Sequence, residues 1–146
     1  MGVICPCGVI VNGFSEGNNV KFTGVNGTIK GNLTYVADIC VSTLDASSLS
    51  LLFADTENPN TFRFLFIANA ITSVTCKKEG QNCVVTVKGT GAVNGQQFNF
   101  EAIFRDENPQ AAKDNVQSFV ITGFFDQNGA APVPQGSIIA LGCQES

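Results

Sequence analysis

CVVTVKG (83–89), TGAVNG (90–95), QQFNFEAIFRD (96–106), ENPQAAKDN (107–115) and VQSFVITGFF (116–125) follow one another without a break, and their reading decides the fold. Phe98, Phe100 and Ala102 alternate with Asn99, Glu101 and Ile103, the two-residue period of a strand with one face on a core; toward Phe104 both faces become apolar. Residues 116–125 are β-branched and aromatic through the middle, as in a strand covered on at least one face. Asn94-Gly95 lies between two of these strands, and both residue types tolerate the positive φ that a type I′ hairpin turn demands.

Outward from this stretch, Val-Asn-Gly recurs at 11–13, 25–27 and 93–95 and reads as three turns. VICPCGVIV (3–11) is an apolar arm interrupted by Cys5-Pro6-Cys7; proline supplies no ladder donor, so the arm is expected at a sheet edge or outside it. FSEGNN (14–19) reads as loop, VKFT (20–23) as a short strand, residues 28–36 and 39–43 as one bent strand, and 44–48 as a turn. The most apolar runs, 49–54 and 62–70, are strand-sized and far below the roughly 18 residues of a membrane-spanning helix. NPQAAKDN (108–115) alone has helix-like composition and fits a single turn. DTENPN (55–60) and DENP (106–109) echo each other, and Asn-Pro favours turns. About ten or eleven short strands with turns every 8 to 12 residues predict an all-β chain, an antiparallel β-sandwich or jelly roll. The arm covers 1–13 and a single sandwich domain covers 14–146.

The chemistry is limited by composition. Only 14% of the 146 residues are charged, the formal net charge is −4, and there is no histidine. Eight scattered Lys and Arg make no phosphate-binding surface, so no nucleic-acid partner is expected. Without His, the Ser-His-Asp and Cys-His arrangements and His-ligated zinc are excluded. Asp38, Asp55, Glu57, Glu101, Asp106 and Glu107 remain as carboxylates; a glycosidase would need two of them facing across a cleft, whereas solvated turns and strand faces carry such residues ordinarily. Asp55, Glu57, Asp106 and Glu107 are candidate calcium ligands because oxygen donors on loops suit that ion, although their spacing matches no familiar calcium loop. Twelve Phe with one Tyr and no Trp suit a core better than a sugar-stacking platform. Neither an enzyme nor a cofactor is expected. The first residues lack the basic and long apolar regions of a secretory signal, and Pro6 stands where an acylation motif needs Ser or Thr.

The sharpest signal is six cysteines, Cys5, Cys7, Cys40, Cys76, Cys83 and Cys143, an even number that fits an oxidising compartment. The single residue between Cys5 and Cys7 and the six between Cys76 and Cys83 do not match zinc-knuckle spacing. A hairpin across KKEGQN (77–82) would set Cys76 and Cys83 face to face, so a bond between them is expected. Cys5 and Cys7 cannot bridge each other without strain, which leaves Cys40 and Cys143 of the same chain or cysteines of a neighbouring one.

The segment 89–125, with its G-x-G-A-V-N-G, F-x-F-x-A and S-F-V-I-x-G-F runs, resembles a β-rich domain of secreted bacterial surface proteins. A more distant resemblance is to bacterial endospore appendage subunits, jelly-roll proteins whose N-terminal cysteine arm bonds to neighbouring subunits. Cys5 and Cys7 match that arm, with a spaced Cys-Pro-Cys in place of adjacent cysteines. The expectation is a structural subunit of an extracellular or spore- or cell-surface assembly, a filament or layer whose partner is itself, joined by strand addition and disulfides. The alternative is a monomeric secreted β-sandwich that binds carbohydrate or a surface ligand and closes its disulfides internally.

Overall fold

Buried and exposed side chains alternate along almost every stretch of the computed structural model, which describes residues 5–57, 61–107 and 113–143. The strands are β1 (Gly8–Phe22), β2 (Ile29–Cys40), β3 (Ser48–Asp55), β4 (Phe64–Glu79), β5 (Asn82–Val93), β6 (Gln96–Asp106), β7 (Lys113–Ile121), β8 (Phe125–Asp126), β9 (Ala131–Pro134) and β10 (Ile138–Leu141). A short 3-10 helix, Val41–Ala46, joins β2 to β3.

Each of β1 to β8 pairs antiparallel with the next, and β8 returns to β1 through Lys21↔Asp126 and Phe22↔Phe125. The result is a closed eight-stranded barrel with two extra strands, β9 on β7 and β10 on β1. This corrects the sandwich or jelly roll expected from the strand pattern. No gap divides the strands into two sheets; instead register shifts at Ser15/Asn18, Ala68/Ala70, Ile71/Ser73 and Ile103/Phe104 bend the long strands. Bulges increase local twist and curl a sheet until its edges can meet.

The 13/14 division between arm and domain falls inside β1, where Gly8 to Val11 pairs with β2 on one side and β10 on the other. Val11-Asn12-Gly13 is strand, not turn, and so is most of FSEGNN, with Gly17 in the bulge at φ +66°. Gly13 lies under the C-terminal strands: a Cβ there would come within 3.1 Å of a Val133 methyl. The other two Val-Asn-Gly turns stand, the third with Asn94 at φ 51° and Gly95 at φ 81° between β5 and β6. The two Asn-Pro turns and most of the expected helical turn lie outside the described residues, while Lys113 to Asn115 begins β7.

Inward residues fill the barrel: Leu33, Leu51, Phe53, Phe66, Val85, Phe104, Phe119 and Ile121 are all buried. An eight-stranded barrel is just wide enough for side chains to fill it. Phe100 packs against Phe66 and Phe119, at 5.2 and 6.0 Å between centroids. One polar pair crosses this interior. The Tyr35 hydroxyl donates to Gln127 Oε1, and Gln127 Nε2 donates to the carbonyls of Val116 and Gly129, each at 2.8 Å. Burial holds the Tyr35 hydroxyl well above its ordinary pKa, so it remains a donor.

Candidate functional site

All six cysteines gather at the barrel end formed by the start of β1, the end of β2, the β4–β5 turn and the segment after β10. Their bonds are Cys5–Cys40, Cys7–Cys76 and Cys83–Cys143, all within the chain. The expected Cys76–Cys83 bond is therefore corrected. The turn between the two strands is tight, with Glu79 opposite Asn82, so Cys83 faces Lys78 and Cys76 faces Val85. Diagonal positions lie roughly 7 to 8 Å apart, beyond disulfide reach, whereas the bonded pairs have Cα atoms 5.8 to 5.9 Å apart.

The carboxylates do not assemble. Asp55 ends β3 and accepts a 2.8 Å bond from the Glu57 amide, whereas Asp106 and Glu107 lie at the opposite, cysteine-bearing end, so the four calcium candidates cannot share an ion. Among the described residues no three Asp, Glu or Cys side chains are grouped to hold a metal. Asp38 is on the outer face of β2, and Glu101 pairs with Lys88 across the outer wall at 3.6 Å. Arg105 donates to Glu79 at 2.9 Å and to Glu107 at 2.6 Å. The Arg105 hydrogen bond holds the Glu79 carboxyl below its ordinary range, helped by the charges of Arg105 and Lys77. Burial holds Asp106 above its range, reinforced by the negative charges of Asp114 and Glu107 and opposed by the Ala140 amide.

Sequence reasoning missed Asp114, which is fully buried. It accepts from the amides of Glu107 (3.0 Å), Gly136 (2.9 Å) and Ile138 (3.1 Å), and Asp106 accepts from Ala140 (2.9 Å). These bonds fix the β9–β10 connection over the seam of the barrel. A buried carboxylate satisfied this way is structural rather than reactive. The one available signal was an Asp inside a strand-compatible run, and it was hidden by the helix-like composition before it.

Outward-facing residues divide the wall in two. Strand register sets Phe14, Thr34, Leu52 and Leu65 in one row, Asn12, Val36, Ser50 and Ile67 in a second, and Ile139, Ile10 and Asp38 in a third. Ile10, Phe14, Val36, Leu65, Ile67 and Ile139 are each 41% to 53% exposed, and Asp38 is the one charge in these rows. Strand spacing and rise make this a patch of roughly 20 by 15 Å, on the order of 300 Å². The wall of β5 and β6 instead carries Lys88, Glu101 and Arg105 in ion pairs.

The end opposite the cysteines is closed by aromatic rings. Phe22 lies within 5.2 to 5.8 Å of Phe53, Phe62, Phe64, Phe124 and Phe125. No family model, no curated protein and no solved structure matches this chain. Three disulfides are consistent with an oxidising location, and no helix of the described residues is long and apolar enough to cross a membrane.

Proposed function

We propose that the chain is a structural building block of an extracellular or cell- or spore-surface assembly, packing against further copies of itself through the apolar outer wall of β10, β1, β2, β3 and β4. That wall is the observation that carries the reading. Six large apolar side chains share one patch, and the largest apolar patch of a protein is often its contact surface. A second copy suits it because the patch is nearly free of charge, so the net charge of −4, carried elsewhere, does not oppose contact between like faces. At on the order of 300 Å² the patch is well below the roughly 800 Å² per partner of a stable dimer, so contact between like faces is weak and pairs copies, and a larger array needs a second surface besides this one.

Docking is by side chains. Closure gives each of β1 to β8 two neighbours, although β4 after Ile67 pairs with β5 alone, and the six cysteines are bonded within the chain. Sedimentation across a concentration series tests the reading: mass should rise with concentration, and Val36→Lys with Ile67→Lys should abolish that rise while leaving the far-ultraviolet spectrum unchanged. A wild-type chain that stays monomeric throughout sinks the assembly. The second reading, a monomeric secreted binding module, then takes its place; internal closure of all six cysteines is what favours it.

A further inference from the structure

The aromatic end of the barrel has a cleft that no strand pairing explains. Phe22 and Thr23 from the end of β1, Val25, Thr61 to Phe64 leading into β4, Asn94 of the β5–β6 hairpin and Phe124 before β8 enclose about 260 Å³. Its floor is apolar: Phe62 stands 5.2 Å from Phe22, and Phe124 meets Phe64 edge-on at 4.9 Å. Phe62 and Phe124 are only half-buried, so ring surface is left open to solvent. The rim is polar, with Thr23, Thr61, Arg63 and Asn94 all exposed.

Among the described residues Arg63 is the one charged residue lining the cleft, in a chain whose formal net charge is −4. Among the described residues it has no ion-pair partner, in contrast to Arg105 with its two carboxylates. An unpaired guanidinium beside an open aromatic floor matches a ligand with the converse design, an apolar body and one anionic end. The fork of the guanidinium suits a carboxylate, which it can grip through two parallel hydrogen bonds. Volume limits the body: a cavity of roughly 150 Å³ holds benzene, so this cleft takes a single ring with a short tail, on the order of ten non-hydrogen atoms.

From this complementarity of size, surface and charge, we infer that the cleft is a binding site for a small aromatic or short-chain aliphatic carboxylate. The site is independent of the outer wall and stands whether or not the chain assembles. The probes are 3-phenylpropanoate and, as a neutral control of similar shape, benzyl alcohol, each titrated into the full chain while amide chemical shifts are followed by NMR. Saturable shifts from 3-phenylpropanoate are expected at Thr23, Phe62, Arg63, Asn94 and Phe124, with a Kd on the order of a millimolar. Arg63→Gln should weaken the carboxylate about fivefold, the upper range for an exposed ion pair, and leave benzyl alcohol unchanged. Arg63 is exposed, so the variant is expected to keep the wild-type amide spectrum outside the cleft, which the same experiment checks. Shifts that never saturate, that map to another part of the barrel, or that are indifferent to Arg63→Gln overturn the assignment.

Discussion

The two ends of this barrel meet the same problem by different chemistry. At one end the segments before β1 and after β10 have little ladder of their own, and three disulfides pin them to the ends of β2, β4 and β5. At the other end the closing strand β8 is only two residues long, so hydrogen bonds contribute little, and six rings centred on Phe22 pack the gap. The lesson is that a covalent bond suits chain that lacks packing, whereas packing suffices where bulky side chains already converge. Only the packed end leaves a cleft lined by ring surface.

The largest break in this comparison comes from reduction. The bridges span sequence separations of 35, 69 and 60 residues, and loop-closure entropy assigns each about 4 kcal/mol, although the effects of linked loops do not add simply. Full reduction should therefore remove a large share of the roughly 5 to 15 kcal/mol that holds a domain together. Denaturant midpoints with and without reductant measure it, and an unchanged midpoint would mean that the bridges decorate an end already stable. Next in size is Phe22→Ala, expected to cost about 3 to 5 kcal/mol as the loss of a buried ring. With the disulfides intact its effect on hydrogen exchange should concentrate in β8 and the end of β1. Equal acceleration at both ends would show that the ends are not separable.

The smallest effect is in the acid-range pH dependence, and it lies at the disulfide end. Asp106 is held above its ordinary pKa, so the folded chain keeps that proton more tightly than the unfolded chain does; its contribution is full at low pH and fades as pH rises through the folded value. Glu79 is held below its range, so its contribution is present above the unfolded value and fades as pH falls through the folded one. The two oppose each other. Asp106→Asn, which keeps an acceptor for the Ala140 amide, should gain on the wild type as pH rises across the acid range. Midpoints that shift in parallel for both proteins would remove Asp106 from this account.

Strands were legible where the pattern is local. The alternation from Phe98 to Phe104 and the Asn94-Gly95 turn survive intact in β6 and its hairpin, with Phe100, Ala102 and Phe104 buried. Barrel closure was not legible, because it rests on Lys21↔Asp126 and Phe22↔Phe125, two pairs more than 100 residues apart in sequence. A two-residue period is the same in a sandwich and in a barrel. β1 was read as an arm, a turn, a loop and a strand because Asn12-Gly13 and Gly17 look like breaks; in the fold Gly13 makes room for Val133 and Gly17 takes up a bulge. The disulfides failed for the same reason. Spacing argued for Cys76 with Cys83, but a two-residue offset in the hairpin separates them, and Cys7 and Cys143 reach that end only through the closed topology. The apolar wall was hidden because Ile10, Leu65 and Ile67 occupy strongly apolar runs, which in sequence look like deep burial, and Phe14 fell in a stretch that read as loop.

Cys7 is bonded to Cys76 and Cys143 to Cys83, and only residues 77–82 separate the two inner cysteines. Tension between Cys7 and Cys143 therefore runs through two sulfur bridges and one tight turn, about 25 Å of backbone when fully drawn out. Residues 8–75 and 84–142 hang from that short path as closed covalent loops and cannot be unravelled by a pull along it. While the bridges last, a pull between Cys7 and Cys143 meets a nearly inextensible link and leaves both loops closed.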